Sequence, residues 1–229
     1  MLTVDQVYFS TKQQVILDQI QFLLKSGSIT ALIGHNGAGK STLFKAIMGM
    51  IHLEAGEIIL DGIAQSDNFL AFKKHLSYIP EEAFLLSELT VEQHFQLYIE
   101  SYQLDPVKME QQIKQYVDAF EIGDKLDQYP ESLSKGMRQK VQIICALLPE
   151  VKLLLVDEPF EGLDVHATEY LIDILKKKAR TGTMILLTTH QLDRLQGLAD
   201  HYLMLQQGKL ISSGPIEAFD QLKRRFDQS

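Results

Sequence analysis

The 229-residue sequence predicts an α/β fold, with a buried parallel sheet interrupted by a helical insertion. Three observations predict it. Ile29–Ile33, Lys152–Val156 and Thr183–Thr188 are short apolar-rich runs of the kind found in strands buried on both faces. The first run ends in a glycine loop and the second in two acids, so polar chemistry gathers where parallel strands end. Between them, from Glu81 to about Leu148, the apolar spacing changes to that of helices.

Taken in order, the first third is strand-rich. Leu2–Phe9, Val15–Leu24, Ile29–Ile33 and Glu57–Leu60 are apolar or alternating runs, parted by turn signals at Ser26-Gly27, Ala55-Gly56 and Asp61-Gly62. A short amphipathic piece at Asn68–Lys74 precedes a strand at His75–Ile79. Thr90-Val91-Glu92-Gln93 reads as a capping box. Asp105-Pro106 opens a second helix, with Pro at N1 and an apolar stripe at Ile113, Val117 and Phe120. Ser134 caps a third, which runs to about Leu148 with Met137, Val141, Ile144 and Leu148 on one face. Helices are expected at His166–Ala179 and Gln191–Ala199. A hairpin follows, His201–Gln206 with Lys209–Ser213, turning at Gln207-Gly208. Gly214-Pro215 is expected to break it before a final helix.

The loop Gly34-His35-Asn36-Gly37-Ala38-Gly39-Lys40-Ser41 matches G-x-x-x-x-G-K-[ST] in full. Its glycines let successive backbone N–H groups face one concavity, an anion nest. Lys40 would reach β- and γ-phosphates and the Ser41 hydroxyl would ligate Mg²⁺. Thr42 begins a helix whose positive end faces the phosphates. At the end of the second run, Asp157 would hold Mg²⁺ through water, and Glu158 would orient or deprotonate an attacking water.

With these residues in place, the chain resembles the nucleotide-binding subunit of an ATP-binding cassette (ABC) transporter. Leu133-Ser134-Lys135-Gly136-Met137 is similar to the family's signature, Glu161-Gly162-Leu163-Asp164 to its D-loop, and Thr188-Thr189-His190 to its switch histidine. Tyr78-Ile79-Pro80-Glu81 and the run from Ser134 to Val141 most resemble the ATPase subunit of the Ecs-type bacterial transporter. The resemblance implies a P-loop NTPase (RecA-like) core at 1–80 and 149–229. An N-terminal antiparallel β subdomain and an inserted helical subdomain, 81–148, complete one domain over 1–229. It implies an ATPase that uses Mg²⁺ and works as a homodimer or a pair of like ATPase domains, head to tail. Ser134 and the Gly136 N–H would then close the γ-phosphate cage in trans, with Lys135 and Met137 beside them. Asp164 would couple the two sites at the seam, and His190 would meet the γ-phosphate and the attacking water. A membrane-spanning permease subunit is the implied partner, docked on Glu81–Tyr98, with the ATPase peripheral on the inner face of the cell membrane.

Three departures from the family pattern stand out. Glu81 replaces a Gln that contacts Mg²⁺ and water, and is expected to ligate Mg²⁺. Lys135 and Met137 replace Gly and Gln. Thr11 falls where the family stacks an aromatic on adenine, and Tyr8 or Phe9 reaches that place only if the strand end shifts. The alternative to a transporter subunit is a soluble regulatory ABC-type ATPase with slow turnover.

Whole-chain properties set outer limits. A net charge of −8 and a pI near 5.4 argue against a dedicated nucleic-acid binder. The lone Cys145, in an apolar run, gives no disulfide framework and fits a reducing cytosol. No apolar run approaches the length of a membrane span, and the N-terminus lacks a signal-peptide pattern, so a membrane role is expected through a partner. Lys176–Lys178 with Arg180 suit a helix C-terminus. Lys223-Arg224-Arg225 is read as a similar solvated cluster.

Overall fold

The computed structural model describes residues 1–219. Two sheets carry it. The first joins β1 (Leu2–Ser10), β2 (Val15–Leu24), β4 (Ala55–Leu60) and β5 (Ile63–Ala64), all antiparallel, in the order β2-β1-β4-β5. The second has six strands in the order β10-β9-β3-β8-β7-β6. Its members are β3 (Ile29–Ile33), β6 (Leu76–Ile79), β7 (Leu153–Asp157), β8 (Met184–Thr188), β9 (His201–Gln206) and β10 (Lys209–Pro215). All its pairings are parallel except that of β9 with the edge strand β10.

Helices cover both faces of this second sheet. They are α1 (Lys40–Ile47), α2 (Phe69–Lys74), α3 (Val91–Tyr102), α4 (Pro106–Ala119), α5 (Lys135–Leu147) and α6 (Val165–Arg180). Alternation within its strands divides the core. Ile29, Ala31, Ile33, Leu154, Val156, Ile185 and Leu187 face a cluster built with Phe95, Val141, Ile144, Leu171 and Leu175. Leu32, Leu153, Leu155, Met184 and Leu186 face the other way, onto Leu43, Phe44 and Ile47 of α1 and Leu2, Val4 and Ile20 of the antiparallel sheet. Strands buried on both faces need apolar residues at every position, hence their continuous runs. Cys145 is fully buried in the first cluster, and burial pushes its thiol pKa up, away from thiolate chemistry.

The expected helix starts are present. Thr90 and Gln93 form a reciprocal capping box, and Asp105 and Ser134 cap α4 and α5. Gln207 and Gly208 turn the β9–β10 hairpin, both at positive φ (47° and 76°), as a tight two-residue turn requires.

Two expectations are corrected. Gln191–Ala199 is no α-helix; it holds one 3₁₀ turn at Leu192–Arg194. Leu195, Leu198 and Ala199 are buried at helical spacing, but Gly197 lies at φ 73° and turns the chain out of the helix. Nor does Gly214-Pro215 break β10: Gly214 pairs with Tyr202 and Pro215 with His201. The missing Pro N–H is tolerated because β10 is an edge strand. Residues 216–219 are helical, and the cluster at Lys223-Arg224-Arg225 lies outside the described residues. Among the described residues, no helix is long and apolar enough to cross a membrane.

Candidate functional site

A cleft of about 450 Å³ opens at the carboxyl ends of β3, β7 and β8, the end at which α/β sheets bind ligands. Its walls are Asn36, Gly37, Gly39, Lys40, Ser41 and Thr42 of the glycine loop, with Glu81, Asp157, Glu158 and His190 opposite, and Gln14 and Ile16 at a remaining edge. Larger hollows, of about 870 Å³ between α4 and α6 and about 530 Å³ beside β2 and β10, contain no such meeting of loop and acids.

The loop's shape follows from its glycines. Gly37 and Gly39 sit at φ 79° and 108°, and Gly39 is the N-cap of α1. A Cβ on Gly34 would lie 2.4 Å from Leu205 O of β9, so this corner tolerates no side chain. His35 O accepts from Ala38 N at 3.0 Å, and Ala38 O accepts from Gly208 N at 3.0 Å, which ties the loop to the β9–β10 turn. Lys40 Nζ donates to Gly34 O at 2.7 Å and to His35 O at 3.3 Å, which holds the amine over the loop. The first-turn N–H groups of α1 have no intrahelical acceptor. An anion placed there meets those donors, the helix dipole and Lys40 together.

The acids are held from several elements. Asp157, 6% exposed, ends β7 and pairs in register with Thr188 of β8. Its Oδ1 accepts from Thr188 Oγ1 at 2.5 Å and its Oδ2 from the Tyr78 hydroxyl at 3.3 Å. Burial, reinforced by the Asp157 charge, pushes the Tyr78 phenol pKa upward, so it remains a donor. Glu158, 9% exposed, turns out of the strand at φ 44°. Its N–H donates to Thr188 O at 3.2 Å and to Thr188 Oγ1 at 3.1 Å. Its Oε2 accepts from His190 N at 2.9 Å. Its buried Oε1 has no hydrogen-bond donor and faces His190 Nε2 at 3.3 Å. Burial raises the Glu158 carboxyl above the usual range, and the Asp157 charge adds to this. The hydrogen bond from His190 N–H, the His190 ring and Lys40 oppose it. A partly dehydrated carboxylate beside a water-accessible cleft is suited to take a proton.

Glu81 reaches the cleft because α5 holds its segment from below. Gln139 Nε2 donates to Pro80 O at 2.9 Å, and Gln142 Oε1 accepts from Phe84 N at 3.0 Å. His94 fixes the next stretch: its Nδ1 donates to Thr90 O at 2.7 Å and its Nε2 accepts from Leu86 N at 2.9 Å. Ser41, Asp157 and Glu81 offer a hydroxyl and two carboxylates, the hard oxygen donors that Mg²⁺ takes. Among the described residues, no group of three or more His, Cys, Asp or Glu could hold an ion unaided. Oxygen donors of this kind hold Mg²⁺ together with substrate phosphates.

The structure does not bring every anticipated residue into this cleft. Ser134, Lys135, Gly136 and Met137 lie outside it, at the N-terminus of α5. Ser134 Oγ accepts from Met137 N at 3.2 Å, Lys135 Nζ meets Glu161 Oε1 at 3.4 Å, and Met137 packs against the core. A Cβ on Gly136 would stand 2.6 Å from Gly162 O, so the signature turn and the loop after β7 touch backbone to backbone. Asp164 is also outside; its Oδ1 caps α6 through Ala167 N at 2.8 Å and its Oδ2 meets Lys140 Nζ at 2.6 Å. No strand shift brings an aromatic to the cleft. Tyr8 pairs with Ala55, and Phe9 pairs with Leu17 and packs on the core. Sequence reasoning missed Tyr78, Thr188, Gln139 and Gln142 as supports. The one signal available was a pair of amides on the buried side of α5.

A family profile described as ABC transporter matches residues 17–161. The ABC-type transporter ATP-binding protein EcsA of Bacillus subtilis (strain 168) is 33% identical over 211 residues, 92% of this chain and 84% of its own length. A solved ATP-binding subunit of an ABC transporter superposes with a TM-score of 0.92 at 34% identity, over 99% of this chain and 93% of that one. A dimeric ATP-binding cassette in a post-hydrolysis state, bound to ADP and Pi, shares the fold, with a TM-score of 0.82 at 20% identity over 94% of this chain and 99% of that one.

Proposed function

Since this chain belongs to the ABC transporter family of ATP-binding subunits, we propose that it hydrolyses ATP as half of a head-to-tail pair and so powers a separate membrane-spanning subunit. Each nucleotide lies between the glycine loop of one copy and the Ser134–Met137 turn of the other. The observation that carries this reading is the division of parts. One cleft gathers Lys40, Ser41, Glu81, Asp157, Glu158 and His190, while the signature turn lies outside it on the same chain.

In this reading the loop N–H groups and Lys40 hold the β- and γ-phosphates. Ser41 and Glu81, with Asp157 through water, would hold Mg²⁺, which would offset charge on the phosphates. Glu158, which lines the cleft, receives the proton of the attacking water. His190 holds Glu158 through its N–H and ring, and would meet the γ-phosphate from the cleft wall. Ser134 and the Gly136 N–H complete the cage from the second copy. We read 81–148 as the subdomain that meets the membrane partner. Exposed Phe84 and Leu86 offer that partner apolar contacts, beside a hollow of about 360 Å³ whose lining is mostly polar or charged: Glu82, Ala83, Leu85, Ser87, Pro130, Glu131, Lys135 and Arg138. The pair thus works on the inner face of the cell membrane.

The test is the Glu158→Gln protein, which keeps the binding groups and removes the base. With ATP and Mg²⁺ it sediments as a dimer, and with ADP as a monomer. A monomer at saturating ATP would contradict the sandwich.

A further inference from the structure

Strand β8 is apolar up to its last residue, Thr188, which is fully buried. A hydroxyl in that place costs stability unless it finds partners. It finds two. Asp157 lies opposite in register, and a carboxylate only accepts, so the single hydroxyl proton goes to Asp157 Oδ1, at 2.5 Å. The hydroxyl oxygen in turn accepts from Glu158 N at 3.1 Å, and Thr188 O accepts from the same N–H at 3.2 Å. These bonds grip Glu158 where its backbone is left-handed, at φ 44°. On the other side of β7, the Tyr78 hydroxyl of β6 donates to Asp157 Oδ2 at 3.3 Å. Of the two hydroxyls on Asp157, that of Thr188 is the one that also bonds Glu158.

We propose that Thr188 is a positioning residue for hydrolysis, whose one hydroxyl sets the metal-side carboxylate of Asp157 and the base Glu158 together. This rests on the reading of the cleft as an ATP-hydrolysing site. Successive side chains of a strand point to opposite faces, so β7 carried straight on would send Asp157 and Glu158 apart. Both line the cleft because the chain turns at Glu158, and Thr188 bonds the N–H at that turn. Asp157 would face Mg²⁺ through water, and Glu158 the attacking water. The two acids therefore need a fixed relation while the phosphorus reacts. Groups that orient such carboxylates are typically worth 10- to about 100-fold in metal affinity or activity. A valine would fill the end of β8 with the same shape, yet leave Asp157 Oδ1 without its donor.

The test compares Thr188→Val, which keeps the shape, with Thr188→Ser, which keeps the hydroxyl, each in the full chain. In Thr188→Val, kcat is expected to fall by about 10- to 100-fold with KM for ATP nearly unchanged. Mn²⁺ binding to the chain saturated with an imido-linked ATP analogue, followed by electron paramagnetic resonance, is expected to weaken by about tenfold. Thr188→Ser is expected to restore both. Tyr78→Phe, which frees Asp157 Oδ2 alone, is expected to weaken Mn²⁺ with a much smaller fall in kcat. A purely structural Thr188 would lower the melting temperature and leave both readings at native values per folded molecule. That result overturns the proposal, as does a change in one reading without the other, or a serine that restores neither. Where Thr188→Val does not fold, Thr188→Ala carries the same two expectations. A native chain that binds the analogue and Mn²⁺ but hydrolyses no ATP contradicts the enzymatic reading, and the Mn²⁺ measurement still decides whether Thr188 sets Asp157.

Discussion

Glu158 combines a left-handed backbone at φ 44°, a nearly buried carboxyl and a raised pKa. Such a backbone costs a non-glycine residue about 1–2 kcal/mol, and here it turns the carboxylate out of β7 into the cleft. Replacing it with Gln keeps the shape and removes the base, so turnover should fall by about 10²- to 10⁴-fold with nucleotide binding retained. Steady-state hydrolysis beside equilibrium binding measures both. The native pH–rate profile should lose activity on its acid side above the ordinary carboxylate range, because the raised pKa protonates the base early. Stability runs the opposite way. The buried charge disfavours folding above the raised pKa, and protonation relieves it below. Glu158→Gln should therefore melt higher than the native chain at neutral pH, and that gain should vanish as pH falls through the Glu158 pKa. Thermal melts across pH check the sign. The acid pair was legible in the sequence because it ends an apolar run. Its supports were not, because Tyr78 and Thr188 reach Asp157 only through the sheet order.

At the scale of elements, α5 carries two jobs. Its buried Gln139 and Gln142 hold the segment bearing Glu81, while its exposed first turn is locked to the loop after β7. That lock leaves no room at Gly136. Gly136→Ala should force Gly162 away and destabilise the chain by about 1–3 kcal/mol, read by denaturant melts. Asp164 separates two roles. Asp164→Asn keeps the cap on α6 and loses the ion pair with Lys140, whereas Asp164→Ala also loses the cap, at about 1 kcal/mol. Melting of the two variants should differ by that amount. Caps and buried strands were readable because each is a local signal. The segment Gln191–Ala199 misled for a physical reason: its apolar spacing is helical, but one glycine at φ 73° turns the chain away. Likewise, Gly214-Pro215 looked like a stop because the edge position that tolerates Pro is a property of the sheet, not of the dipeptide.

At the scale of the molecule, the cleft holds loop, acids and His190, and the Ser134–Met137 turn lies outside it. In the proposed pair, each copy lends its turn to the other's nucleotide, so association and hydrolysis become one process. Complementation tests this most directly. Lys40→Ala disables a chain's own loop and leaves its signature intact; Ser134→Arg does the reverse. Each variant alone should be nearly inactive. Mixed in equal amounts, they should recover hydrolysis well above either one, because every mixed dimer contains one site with an intact loop and an intact signature. No recovery on mixing, in samples that sedimentation shows to contain mixed dimers, would contradict the shared site.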